Sequence, residues 1–272
     1  MYNDYFRFRE DPFNITPDPR FLYLTTQHRE ALEHLLYGIR ERKGFICLTG
    51  EVGTGKTTLC RALLNRLGRK VHSALILNPV LTETQLLRSI VEEFGIRTKR
   101  RDRLGYLKLL NEFLLRVNSA GRDAVLIIDE AQDMSVERLE LVRLLSNLET
   151  ERQKLLQIVL VGQPELRRML ARPGLRQLAQ RITVRYHLDP MDQGETDAYL
   201  SHRLRVAGCE DGPLVRFDAG AVREIYRYSG GTPRLVNAIG DKALLAGYVH
   251  RTARINRRLA RLAAAELKGA CG

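Results

Sequence analysis

Short, nearly continuous apolar runs alternate along this chain with longer segments whose apolar residues recur every three or four positions. The runs 45–49, 73–78 (Ser-Ala-Leu-Ile-Leu-Asn), 124–129 (Ala-Val-Leu-Ile-Ile-Asp), 155–161 and 182–188 read as strands. Their lack of polar alternation predicts burial on both faces, as in a parallel sheet. Amphipathic segments near 28–42, 57–68, 82–95, 104–119, 135–149 and 164–180 supply the crossover helices. Beyond residue 189 the strand pattern stops, and segments near 193–207, 218–229, 232–249 and 255–268 read as helices. The pattern predicts an α/β fold with a three-layer αβα core around a parallel sheet, followed by a small all-helical lid domain. The expected divisions are 1–44, an N-terminal segment and helix leading into the core; 45–188, the α/β domain; and 189–272, the helical domain. No internal repeat or low-complexity linker interrupts this organisation.

The first strand run leads into Gly50-Glu51-Val52-Gly53-Thr54-Gly55-Lys56-Thr57, followed by Thr58 and a helical segment. This is the G-x-x-x-x-G-K-[ST] phosphate-binding loop (Walker A) in its expected strand–loop–helix setting. The glycines let backbone N–H groups turn inward around an anion, and the helix start adds its positive dipole end. Lys56 is expected to reach the β- and γ-phosphates, and the Thr57 hydroxyl to ligate Mg²⁺.

Val125-Leu126-Ile127-Ile128-Asp129-Glu130 is an apolar strand ending in two carboxylates, as a Walker B element requires. Asp129 is expected in the Mg²⁺ shell, and Glu130 to polarise the attacking water. The run ending Val161-Gly162-Gln163 places an amide at another strand end. There Gln163 either orients the water beside the γ-phosphate or caps the helix starting at Pro164. Arg181 stands at a helix end just before a strand. It is either an arginine finger reaching a neighbouring subunit's γ-phosphate or a helix-dipole partner, with Arg176 as the other finger candidate. Gly230-Gly231-Thr232-Pro233-Arg234 opens a helix. A cation at that positive end is locally unfavourable, which points Arg234 toward bound nucleotide.

Composition adds one feature. The formal net charge is +12, with Arg97, Lys99, Arg100, Arg101 and Arg103 in one loop and Arg251, Arg254, Arg257, Arg258 and Arg261 near the C-terminus. Such patches meet nucleic acid or anionic lipid, or are simply solvated faces. The four cysteines (Cys47, Cys60, Cys209, Cys271) are scattered, and the six histidines show no ligand spacing, so reduced thiols and no structural metal are expected. No run approaches the roughly 20 apolar residues of a membrane span. The N-terminus lacks a secretory-signal layout, which places the expected location in the cytoplasm.

The constellation resembles an AAA+ ATPase, and more narrowly the general secretion pathway protein A (ExeA) family, close to MSHA-type pilus-biogenesis ATPases. The resemblance runs from about residue 1 to 268. It rests on Pro12-Phe13, Pro17-Asp18-Pro19-Arg20-Phe21-Leu22-Tyr23-Leu24, His28-Arg29-Glu30-Ala31-Leu32, the phosphate loop and Asp129-Glu130-Ala131-Gln132. Val161-Gly162-Gln163-Pro164-Glu165-Leu166, Leu178-Ala179-Gln180-Arg181 and Gly230-Gly231-Thr232-Pro233-Arg234 complete it. The resemblance implies ATP rather than GTP and a homo-oligomer, with a ring the expected form. It also implies an inner-membrane or envelope partner, which adds a peripheral place at the inner membrane to the expected location, and a role in assembling a type II secretion or type IV pilus apparatus. It suggests that Phe13 and Tyr23 line the adenine, although both also suit a core. Secretion pathway protein A carries a membrane-spanning helix and a periplasmic peptidoglycan-binding module after its ATPase, and this chain ends at Gly272 with neither. It is therefore expected to be the cytoplasmic part of a longer protein or a stand-alone relative, and peptidoglycan binding does not carry over.

Two other readings remain open. Transposition-type AAA+ ATPases that bind DNA share the phosphate loop, the Asp-Glu-Ala run and the polar amide, and a net charge of +12 suits DNA. A nucleotide-gated scaffold with negligible hydrolysis is the third, opposed by intact Lys56, Asp129 and Glu130.

Overall fold

The computed structural model describes residues 1–14, 19–151, 153–208 and 214–269. Cys209 and Cys271, and the Pro17-Asp18 pair of the N-terminal motif, lie outside the described residues. The chain divides into two compact units. One holds Thr26–Glu51 and Lys56–Leu188; the other holds Met1–Thr25, Val52–Gly55 and Asp189–Gly272.

The first unit is a five-stranded, wholly parallel sheet: β1 (Phe45–Gly50), β2 (Val71–Ile76), β3 (Asp123–Ile128), β4 (Gln157–Gly162) and β5 (Ile182–Leu188), in the order β2-β3-β4-β1-β5. Every residue of β1 and β4 is buried, which explains their unbroken apolar character. Helices α2 (Thr26–Arg40), α3 (Lys56–Leu67), α4 (Glu83–Glu93), α5 (Arg103–Ser119), α6 (Val136–Leu145), α7 (Pro164–Leu170) and α8 (Arg176–Arg181) belong to the same unit. Asp102 and Thr82 cap α5 and α4 with side-chain acceptors, Thr82 completing a reciprocal capping box with Gln85. Leu86, Ile90, Leu110, Leu114, Leu126, Ile128, Ile158 and Leu160 are among the fully buried residues of its core.

Two differences from the sequence reading have plain causes. The segment 164–180 forms two helices, because Pro173 lacks an N–H and opens a short 3-10 turn, Pro173–Leu175, between α7 and α8. Pairing of β4 begins at Gln157, not Leu155: the Gln157 amide is buried and its Oε1 accepts the Gly44 N–H at 2.8 Å.

The second unit contains α1 (Tyr2–Phe6), α9 (Gln193–Ala207), α10 (Ala219–Ser229), α11 (Pro233–Val249) and α12 (Arg257–Gly269). Among the described residues it is helical apart from one addition that periodicity did not signal. The two-residue strands β6 (Arg216–Phe217) and β7 (Arg254–Ile255) pair in parallel. Its core gathers Phe6, Phe8, Phe13 and Phe21 with Leu200, Val236, Ile239 and Leu244. Arg203 ties the N-terminal segment down: its guanidinium donates to the carbonyls of Pro12 and Asn14 and stacks 4.5 Å from the Phe21 ring centroid.

Candidate nucleotide site

A parallel sheet sends the C-terminal ends of its strands to one edge, and ligands of open α/β sheets bind there. The phosphate loop follows β1, Asp129 and Glu130 follow β3, and Gln163 follows β4, so the candidates from three separate stretches of sequence share that edge.

Within the sheet unit, Lys56 opens α3 and is 6% exposed. Its ammonium donates to the carbonyls of Gly50 and Glu51, both at 2.8 Å. Burial pulls its pKa below the ordinary lysine value, against the opposing pull of Glu130, Asp129 and Glu51. Thr57 donates its hydroxyl to Asp129 Oδ2 at 2.6 Å. Asp129 is 2% exposed, and its Oδ1 accepts the Glu130 N–H at 2.9 Å. Burial raises its pKa, while the Thr57 hydroxyl and the Glu130 N–H hold it back. Thr58 lies in the first turn of α3, half-buried.

A hard divalent cation takes oxygen ligands, and Mg²⁺ in phosphate sites uses one or two carboxylates beside waters and substrate phosphates. The adjacent Thr57 hydroxyl and Asp129 carboxylate fit that donor set. Among the described residues no cluster of three or more His, Cys, Asp or Glu side chains offers an all-protein metal cage.

Glu130 adopts a left-handed backbone, φ 49° and ψ 39°, which costs a non-glycine residue on the order of 1–3 kcal/mol and concentrates at functional sites. Its carboxylate Oε2 accepts from Gln132 Nε2 at 2.7 Å and from Gln163 Nε2 at 3.3 Å. Gln163 precedes α7 without capping it through its side chain, and its amide is turned to Glu130 instead. Arg181, ending α8, donates to Ser146 Oγ at 2.7 Å and Asn147 Oδ1 at 2.6 Å. Arg176 is exposed, beside an open cavity of about 530 Å³ that Pro173 and Gln180 also line.

The tip of the loop, Val52–Gly55, groups with the helical unit. Gly53 and Gly55 have φ of 81° and 96°, a region that glycine enters without penalty. Arg234 sits in the first turn of α11, and its N–H approaches the Gly53 carbonyl at 3.4 Å. A Cβ on Gly53 would meet the Arg234 Cβ at 2.7 Å. Phe13 and Tyr23 are packed in this unit. Phe13 faces Gly240, whose Cβ would come 2.8 Å from the ring, and Tyr23 lies edge-on to Tyr199 at 6.1 Å between centroids.

Sequence reasoning left Gln132 without a role, although it stood in the quoted Asp-Glu-Ala-Gln run. Its part depends on the left-handed turn at Glu130, which nothing in the residue types announces.

The parallel five-stranded sheet, the glycine-rich loop leading from β1 into a helix and the paired acids at the end of β3, one strand removed across β4, define a P-loop nucleotide-binding protein of the AAA+ type. The family model for an AAA domain matches residues 39–170. Over 270 residues the chain is 48% identical to General secretion pathway protein A of Aeromonas hydrophila, covering 99% of this chain and 49% of that protein. The chain thus spans about half the length of the relative it matches, and it belongs to the AAA+ family in the general secretion pathway protein A group. Among solved structures, the Aeropyrum pernix ORC2 protein superposes with a TM-score of 0.69 at 19% identity, over 96% of this chain and 72% of that one. A Drosophila ORC structure gives 0.69 at 19%, over 94% and 64%. The Thermotoga maritima RuvB branch migration motor gives 0.56 at 21%, over 88% and 68%. These likenesses establish the fold. Among the described residues no helix is long and apolar enough to cross a membrane.

Proposed function

We propose that the chain binds ATP with Mg²⁺ and hydrolyses it to ADP and phosphate. The observation that carries this reading is the 2.6 Å contact between the Thr57 hydroxyl and the Asp129 carboxylate, which joins the phosphate loop to the acidic strand end. Thr57 and Asp129 are the residues that would hold Mg²⁺, which when bound would neutralise charge developing on the phosphate oxygens. The N–H groups of Gly50 to Thr58 cradle the phosphates, and Lys56 exchanges its carbonyl partners for β- and γ-oxygens. Glu130 takes the proton of the attacking water as its oxygen bonds to the γ-phosphorus, and the bond to the bridging oxygen breaks with its electron pair leaving on ADP. Gln163 orients that water, Arg234 is a nucleotide contact, and Arg181 acts on a neighbouring copy in a homo-oligomer.

The likeness to a protein named for the general secretion pathway supports a role in assembling an envelope secretion or pilus apparatus with a membrane partner, the chain working at the cytoplasmic side. A second reading, a DNA-dependent ATPase, is favoured by the exposure of Arg97, Lys99, Arg100, Arg101, Arg251, Arg254, Arg257, Arg258 and Arg261. Phosphate release measured with Mg²⁺ or EDTA, with and without duplex DNA across a salt series, tests both. Mg²⁺-dependent release indifferent to DNA is the expected result. Stimulation by DNA that fades steeply with salt would replace the secretion reading, and absence of release would end the hydrolytic one.

A further inference from the structure

Gln132 lies on a short 3-10 turn, Ala131–Asp133, two residues beyond Glu130. It makes two opposed contacts. Its Nε2 donates to Glu130 Oε2 at 2.7 Å, and its Oε1 accepts the backbone N–H of Gln163 at 3.0 Å. The Gln163 side chain closes the triangle by donating to the same Glu130 Oε2 at 3.3 Å. Both side-chain donors therefore converge on one carboxylate oxygen. Among the described residues Glu130 Oε1 has no hydrogen-bond partner.

A second observation concerns room. Gly162 ends β4, and a Cβ built there would stand 2.7 Å from Gln132 Oε1 and 3.0 Å from Leu166 Cδ2. A bare glycine leaves the space that the Gln132 amide oxygen occupies beside the end of β4. The amide is also chemically particular. It donates and accepts at once, whereas a carboxylate only accepts and an aliphatic chain does neither.

We propose that Gln132 is a positioning residue for the Glu130 base. By fixing Oε2 from one side and gripping the start of α7 from the other, it leaves Oε1 as the oxygen that takes the proton of water. It also makes the placement of Glu130 depend on that of Gln163. The inference rests on the hydrolytic reading above. A purely structural alternative is that Gln132 only anchors the Gln163 N–H, and one substitution separates the two. Gln132→Glu keeps an acceptor for that N–H but removes the donor to Glu130 and sets a like charge beside it.

The test measures steady-state ATP turnover and the affinity of a fluorescent ATP analogue for the full chain and for Gln132→Glu, Gln132→Leu and Gly162→Ala. Thermal unfolding confirms that each variant is folded. A base displaced by about an ångström costs on the order of 100-fold. Turnover of Gln132→Glu and Gln132→Leu should fall by about that factor with analogue affinity unchanged, and Gly162→Ala should fall in the same direction. In a Glu130→Gln background, Gln132→Leu should cost nothing more, because the two act as one unit. Wild-type turnover by Gln132→Glu, or a full further loss in the Glu130→Gln background, overturns the inference while leaving hydrolysis intact. No turnover by the unmodified chain would instead fell the hydrolytic reading, and this inference with it. If Gln132→Leu fails to fold, Gln132→Glu decides alone.

Discussion

At the scale of single residues, the site concentrates charges that burial resists. Asp129 and Lys56 are nearly inaccessible, and desolvation shifts each toward its neutral form: Asp129 upward, Lys56 downward. In the proposed reaction, phosphate and Mg²⁺ binding need Asp129 ionised and Lys56 protonated. A raised Asp129 pKa means its proton returns sooner on acidification than for a free aspartate. A lowered Lys56 pKa means its proton leaves sooner on alkalinisation than for a free lysine. Mg²⁺-dependent ATP affinity, titrated calorimetrically from acid to alkaline pH, should therefore follow a bell narrower on both sides than free side chains would give. A flat affinity through the ordinary range of both groups would contradict these assignments. Glu130 shows a different cost, a left-handed backbone that a β-branched residue there would bear still less well.

At the scale of elements, glycines decide where helices and loops can meet. Gly231, between α10 and α11, has φ of 75°, and a Cβ there would stand 1.8 Å from the Met191 carbonyl oxygen. That atom is backbone and cannot swing aside. Gly231→Ala should therefore destabilise the helical unit by about 2 kcal/mol or more, read as a lowered unfolding midpoint in urea. An unchanged midpoint would show that the Met191 segment yields. The five strands were legible to within about two residues: burial on both faces leaves unbroken apolar runs in β1, β3 and β4, whereas the edge strands β2 and β5 carry exposed polar positions and were read from their remaining apolar residues. The break at Pro173-Gly174 was written in the sequence, yet helical periodicity on either side hides it. The β6–β7 pair carries no period at all, being two residues long in each strand. Of the site, the phosphate loop and the acidic pair could be read from spacing alone. The Gln132–Glu130–Gln163 triangle could not, because it depends on a turn conformation and on strands that are neighbours only in the folded sheet.

At the scale of the whole molecule, the proposed oligomer turns on Arg181. In the single chain its guanidinium is held by Ser146 and Asn147. Arg181→Ala should lower turnover strongly, by up to about 10³-fold if it stabilises the transition state, with ATP affinity kept. Lys56→Ala protein lacks its own phosphate grip but retains Arg181. Mixing it with Arg181→Ala protein should restore part of the activity, since a mixed assembly contains intact composite sites. Mixtures no more active than their components would remove action in trans, and Arg176→Ala would then be the variant to mix. The claim on which all of this stands is that Glu130 activates water beside a phosphate loop that binds ATP independently of it. Its most direct measurement pairs ATP affinity with turnover in Glu130→Gln protein. Affinity should stay close to that of the unmodified chain, with turnover reduced by about 10²–10⁴-fold, the contribution of a general base. Turnover near the unmodified rate would contradict that claim.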